Sequence, residues 1–177
     1  MWTLPKFGTL YRITLTEIVP IREHERRRDM SEEASDPIHI LLAEDNPADI
    51  YLIRQALAEN NVSCILQVAV DGNEALLLLR AADKFADTGR PDLILLDLNL
   101  PRHDGMEVLH HIRQDRRLAA VPVIVFTSSD SPADRLSATH LGVTRFIKKS
   151  SFLDEFMAVG AVIREILTAP SVAIPEN

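Results

Sequence analysis

Residues 92–105, D-L-I-L-L-D-L-N-L-P-R-H-D-G, restrict the fold more than any other stretch of the chain. Leu93 to Leu96 are continuously apolar, and the run is bounded by Asp92 and Asp97. It is too short for a helix and shows no alternation, the pattern of a strand buried on both faces. Strands of parallel sheets are buried on both faces in this way, and parallel strands need crossover helices between them. The run ends on a carboxylate, whose burial without a partner costs several kcal/mol. The strand is therefore expected to emerge at Asp97, with the acid at the carboxyl edge of the sheet. Asn99 and Pro101 open a loop, Asp104-Gly105 closes it, and Asp104 is placed to cap a helix beginning near Met106.

The same strand–loop–helix unit recurs through the chain. Ile38 to Ala43 predicts a first strand, stopped by Glu44-Asp45-Asn46-Pro47. Asn46 caps the next helix and Pro47 suits its first turn, with Ile50, Ile53 and Leu57 at helical spacing. Cys64 to Val70 is a second strand, and Asp71-Gly72-Asn73 leads into a helix carrying Ala75 to Leu79. After the polar connection 83–91 and the strand 92–97, Met106, Leu109 and Ile112 mark a third helix. Val121 to Phe126 is a fourth strand, T-S-S-D-S-P opens a helix around Ala133–Leu141, and Gly142 ends it. Val143 to Ile147 is a fifth strand, and a last helix spans about Phe152 to Leu167. Five strands alternating with five helices predict a doubly wound α/β fold over residues 37–168. Residues 1–36 are aperiodic and charged, and are expected to form a flexible tail, as are residues 169–177 with Pro170 and Pro175.

Composition narrows the class. One domain fits 177 residues, and 46% hydrophobic content is ordinary for a packed core. The net charge of -7, with no basic stripe in the periodic part, argues against nucleic acid as the main partner. Arg26–Arg28 form a basic cluster in a mixed charge run, read as a solvated surface segment. Met30 is a second candidate start, which would leave residues 1–29 outside the protein. Cys64 is the only cysteine, in an apolar run that suggests a buried, inert thiol. No stretch has the 18 or so apolar residues of a membrane span, and Lys6, Arg12 and Glu17 interrupt any secretory leader, so the cytoplasm is expected.

Ligands of open α/β sheets sit beyond the carboxyl ends of the strands, where the strand order reverses. Those ends carry Glu44 and Asp45, Asp71, Asp97, Thr127 and Lys149. With the order 2-1-3-4-5, the first, third and fourth strands are neighbours. Glu44, Asp45, Asp97 and Thr127 then converge, with Lys149 reaching in from the edge strand. Crowded carboxylates need a cation, and an all-oxygen set suits a hard ion such as Mg²⁺. A carboxylate can attack a phosphoryl group, while Mg²⁺, an ammonium and a hydroxyl stabilise the transferring charge. Each residue also has a plain structural use. The acidic pair can favour a helix N-terminus, Thr127 can cap, and Lys149 can be a solvated lysine beside Lys148.

The segments I-L-L-A-E-D-N, D-L-I-L-L-D-L-N-L-P-R-H-D-G, V-P-V-I-V-F-T-S-S and F-I-K-K stand in an order and spacing that resembles the receiver domain of two-component response regulators, over residues 38–167. The resemblance implies a flavodoxin-like fold and phosphoryl transfer from a histidine kinase to Asp97. It implies Glu44 and Asp45 as the acidic pair, with Asp45 a direct Mg²⁺ ligand alongside Asp97, and Asn99 offering its backbone carbonyl. It also implies Thr127 as the switch hydroxyl, Lys149 as the family's lysine and Phe146 as the switch aromatic, although a plain core ring fits Phe146 as well. One departure stands out: the family usually has proline after the lysine, often with a cis peptide, and here Ser150 follows Lys149. A cis bond to a non-proline costs about 3–4 kcal/mol, so the bond is expected to be trans or strained, and Lys148 is a conceivable substitute for Lys149. The chain stops shortly after the last helix, which resembles stand-alone regulators, and D-L-N-L-P-R-x-D-G looks most like those paired with bacterial phytochromes.

Two rivals are a phosphohydrolase and a degenerate receiver that only binds partners. Haloacid-dehalogenase-type phosphohydrolases carry a second aspartate two residues after the nucleophile, where this chain has Asn99. Ser150 is the feature that keeps the degenerate receiver open. A nucleotide-binding domain lacks support, since neither G-x-G-x-x-G nor a P-loop is present. In the last helix, Leu153, Phe156, Met157, Gly160, Ile163 and Leu167 form a stripe suited to the sheet. Phe152, Val159, Val162 and Ile166 widen it beyond the arc of roughly 100° that one buried face needs. That surplus predicts a symmetric homodimer through the last helix, or a kinase on the same face.

Overall fold

The computed structural model describes residues 9–13, 18–20, 37–81 and 90–169. The strands are β1 (Leu10–Ile13), β2 (Ile18–Pro20), β3 (His39–Ala43), β4 (Cys64–Ala69), β5 (Leu93–Leu96), β6 (Val123–Thr127) and β7 (Arg145–Lys148). The helices are α1 (Pro47–Glu59), α2 (Gly72–Ala81), α3 (Gly105–Gln114), α4 (Pro132–His140), α5 (Leu153–Met157) and α6 (Val159–Thr168). One sheet runs β2-β1-β4-β3-β5-β6-β7. Its parallel part, β4-β3-β5-β6-β7, has the expected doubly wound order, with the first β–α–β unit winding one way and the rest the other.

Strand periodicity divides the interior into two cores. Ile40, Leu42, Leu93, Leu95, Ile124 and Phe126 face the core that α1, α5 and α6 cover. Their alternating neighbours Leu41, Ala43, Ile94, Leu96, Val123 and Val125 face the core under α2, α3 and α4. Buried side chains of both phases explain why the central strands read as unbroken apolar runs. Cys64 is buried, and burial pushes its thiol up to about 12, in keeping with an inert role. Asn46 caps α1 by accepting from Ala48 N, Asp104 caps α3 by accepting from Glu107 N, and Gly142 turns the chain after α4 with φ +68°.

The structure corrects two expectations. Residues 1–36 are not wholly a tail, because β1 pairs antiparallel with β4, with Ile13 opposite Cys64, and β2 pairs with β1. Ile13 is fully buried in the α1-side core, and the Arg54 guanidinium lies 4.0 Å over the Tyr11 ring. The pairing supplies what the local sequence lacks: a four-residue strand with two buried side chains is ordered by its partner, not by its own pattern. The basic cluster Arg26–Arg28, Met30, most of the 83–91 connection and residues 170–177 lie outside the described residues.

The second correction concerns the last helix, which is broken at Ala158 into α5 and α6. Phe156, Val159, Gly160 and Ile163 are buried, whereas Leu153 is 58% exposed beside Phe152 at 70%. Val162 and Ile166 are half-buried against the α1-side core. The reason is that α6 packs on α1 as well as on the sheet, which buries a wider arc than one face would. A Cβ at Gly160 would lie 2.2 Å from Ala56 O, so only glycine permits this approach.

Candidate functional site

The backbone delivers the site residues one position beyond the strands. Glu44 N donates to Ala69 O at 2.9 Å, Asp97 N to Ala43 O at 3.0 Å and Lys149 N to Thr127 O at 2.8 Å. Each side chain is therefore launched from a chain still tied to its neighbouring strand. The loop after Asp97 folds back tightly: Gly105 N donates to Leu98 O, and a Cβ at Gly105 would meet Asp97 O at 2.1 Å. This is the physical demand behind the D-G pair that starts α3.

Glu44 and Asp97 are almost fully buried, and Lys149 bridges them, its Nζ donating to Glu44 Oε2 and to Asp97 Oδ2 at 2.6 Å each. A third carboxylate, Asp49 Oδ2, lies 2.9 Å from the same ammonium. Sequence reasoning passed over Asp49, which reads only as an acid in the first turn of α1. Asp97 Oδ1 accepts from Asn99 N at 3.0 Å, and Glu44 Oε1 accepts from Asn46 N at 3.1 Å. Burial raises the Glu44 carboxyl to about 7 despite the opposing pull of Lys149. Burial alone would lower the Lys149 ammonium, but its hydrogen bonds to Asp97, Glu44 and Asp49 outweigh that, and it is held above the usual lysine range.

Thr127 is fully buried at the end of β6, and its Oγ1 accepts from Ser129 N at 3.2 Å. Asn99 Nδ2 donates to Ser128 Oγ at 3.1 Å, linking the loops after β5 and β6. Phe146 packs half-buried on the α3-side core, with Arg135 4.9 Å over its ring. Asp71 is not part of the cluster: it accepts from Glu74 N at the start of α2 and pairs with Arg102 at 3.1 Å. Lys148 does not stand in for Lys149, since it pairs with Asp130. The Lys149–Ser150 peptide is trans. Ser150 Oγ accepts from Phe152 N at 3.1 Å and donates to Glu155 Oε2 at 2.6 Å, so a side-chain latch fixes the loop where the family has a ring.

Glu44, Asp45 and Asp97 each offer a carboxylate oxygen, all within 4.8 Å of one another. Asp45 is exposed, and among the described residues no donor reaches its carboxylate. Three hard oxygen donors, one of them uncommitted and open to solvent, fit a Mg²⁺ ion that keeps part of its water shell.

Residues 40–159 match the response regulator receiver domain. The chain belongs to the response regulator receiver family. It is similar to response regulator Rcp1 of Synechocystis sp., with 38% identity over 126 residues, 71% of this chain and 86% of Rcp1. Among solved structures, the phosphorylated cyanobacterial phytochrome response regulator RcpA superposes with a TM-score of 0.69 at 39% identity, over 79% of this receiver chain and 99% of RcpA. The Mn(2+)-bound form of Rcp1 superposes with a TM-score of 0.69 at 34% identity, over 79% and 100% of the two chains. RcpA is thus a phytochrome response regulator of the same receiver family, and the acidic pocket of this chain presents the oxygen donors that suit Mg²⁺.

Proposed function

We propose that this receiver accepts a phosphoryl group on Asp97 from a histidine kinase of the phytochrome type and signals through protein–protein contacts in the cytoplasm. The observation that carries the reading is the Lys149 ammonium set 2.6 Å from both Asp97 and Glu44 inside an otherwise acidic pocket. A single ammonium in contact with both Asp97 and Glu44 stands where it can stabilise charge on a phosphoryl group held at Asp97. In the transfer, an Asp97 carboxylate oxygen attacks phosphorus. The P–N bond of the phosphohistidine breaks, its electron pair stays on the imidazole, and an acyl phosphate forms. Lys149 moves from the carboxylate to a phosphoryl oxygen. The Thr127 hydroxyl, whose oxygen accepts from Ser129, keeps its own proton to donate. Glu44, Asp45, Asp97 and the Asn99 carbonyl would hold Mg²⁺, which when bound supplies positive charge to the transferring phosphoryl oxygens. Phe146 is read as the aromatic that reports the state of Thr127. The similarity to RcpA and Rcp1 supports the kinase class. Among the described residues no helix is long and apolar enough to cross a membrane.

With Mg²⁺ and acetyl phosphate, intact mass should rise by one phosphoryl group, and Asp97→Asn should abolish the gain. Undiminished labelling of that variant would overturn the assignment. A homodimer through the last helix is a further reading, favoured by Phe152 and Leu153, which are exposed side by side at its start. Light scattering at micromolar concentration should then give a dimer, and Phe152→Asp with Leu153→Asp a folded monomer. A monomeric wild type would remove this reading.

A further inference from the structure

Asp49 stands apart from the acids at the strand ends. Its carboxylate comes from the first turn of α1, yet it meets an ammonium 100 residues further along the chain, with both side chains largely buried, at 18% and 9% exposure. Lys149's other two carboxylate partners, Glu44 and Asp97, both belong to the oxygen cluster that fits a divalent ion. Asp49 does not belong to it. Among the described residues, Asp49 is therefore the one carboxylate partner of Lys149 that a cation does not also claim. An ammonium and a divalent cation drawn to the same two carboxylates repel each other strongly at such separations. An ammonium with a third partner can shift toward it without leaving the pocket. An acid merely favouring the start of a helix needs no such contact.

We infer that Asp49 is a positioning residue: it holds Lys149 to one side, so that the ammonium and Mg²⁺ occupy the acidic pocket together. The inference rests on the proposed Mg²⁺-assisted phosphoacceptor site. The test uses the full chain and follows Mg²⁺ binding by calorimetry. Asp49→Asn should weaken Mg²⁺ binding about fivefold, and Asp49→Glu should restore most of it. Half-saturation by Mg²⁺ in acetyl phosphate labelling should move more than the maximal rate. In a Lys149→Met background, Asp49→Asn should change Mg²⁺ affinity less than about twofold, because the residue acts through the ammonium. A loss of the same size in both backgrounds would mean a direct field effect and overturn the inference. If Lys149→Met does not fold, the Lys149 ammonium resonance decides. Added Mg²⁺ should speed its exchange with water in Asp49→Asn but not in wild type, and equal behaviour would overturn the inference. Absence of Mg²⁺ binding to the wild-type chain would remove the parent reading as well. Normal Mg²⁺ binding and phosphorylation in Asp49→Asn would remove this inference alone.

Discussion

Ile13→Ala should destabilise the protein by about 2–4 kcal/mol, the cost of truncating a fully buried isoleucine, and lower the melting temperature by roughly 5–15 °C for a domain of this size. Ile13 is completely buried opposite Cys64, in the core formed with Ile40, Ile53 and Leu66. The effect should be at least as large in a chain that begins at Met30, because removing β1 uncovers the outer edge of β4. It also takes away the Tyr11 ring beneath Arg54, whose buried Nε has no hydrogen-bond partner among the described residues. Thermal melting of the shortened chain checks this, and a melting temperature within a degree or two of the full chain would show that β1 contributes nothing.

Lys149→Met should cost the metal-free protein about 3–5 kcal/mol at pH 8, the scale for leaving buried charges without their partner. Glu44, Asp97 and Asp49 would then face one another with no cation between them. The loss should shrink at pH 5. Glu44 has a folded value of about 7 against an ordinary 4.5, so it binds its proton more tightly folded than unfolded. Stability from that source is present at low pH and falls as pH rises through the window from 4.5 to 7. At pH 5 Glu44 is protonated and has no charge to leave stranded. The Lys149 ammonium, held above its ordinary 10.5, contributes below that pH and changes nothing within the window. Denaturant unfolding at the two pH values measures the difference. Equal losses at both would refute the picture, as would a failure of Mg²⁺ to restore stability to the variant at pH 8.

The parallel sheet and the acids at its carboxyl edge could be read from the chain because Glu44 and Asp97 each follow a short buried apolar run. Asp97 after Leu93–Leu96 and Glu44 after Ile40–Ala43 are placed by local pattern alone. β1 could not be read in this way: Leu10 and Ile13 make no local pattern, and their order comes from pairing with residues 64–67. Asp49 was hidden for a related reason, since its partner lies on a different element and only the folded chain brings α1 and the end of β7 together. The choice between Lys148 and Lys149 turned on which way two adjacent side chains point at a strand end. Lys148 is still in register with Thr127 and turns outward to Asp130, which leaves Lys149 to turn inward. The surplus apolar arc of the last helix was visible, but its covering by α1 depends on the close approach at Gly160.

Arg113, at the end of α3, ties together four carbonyls on two separate connections. Its Nε donates to Leu141 O at 2.8 Å and its Nη2 to Gly142 O at 3.1 Å, while Nη1 donates to Ala119 O and Val121 O at 3.1 Å each. The C-terminal end of α4 is thereby pinned to the chain entering β6. The opposite end of α4 begins at Ser131, a few residues beyond Thr127 and the loop that contacts Asn99. Any displacement that starts in that loop reaches α4 as the swing of a lever about a fixed pivot, not as a slide of the whole helix. Such a movement would be smallest at Leu141 and largest at the tip beside the pocket.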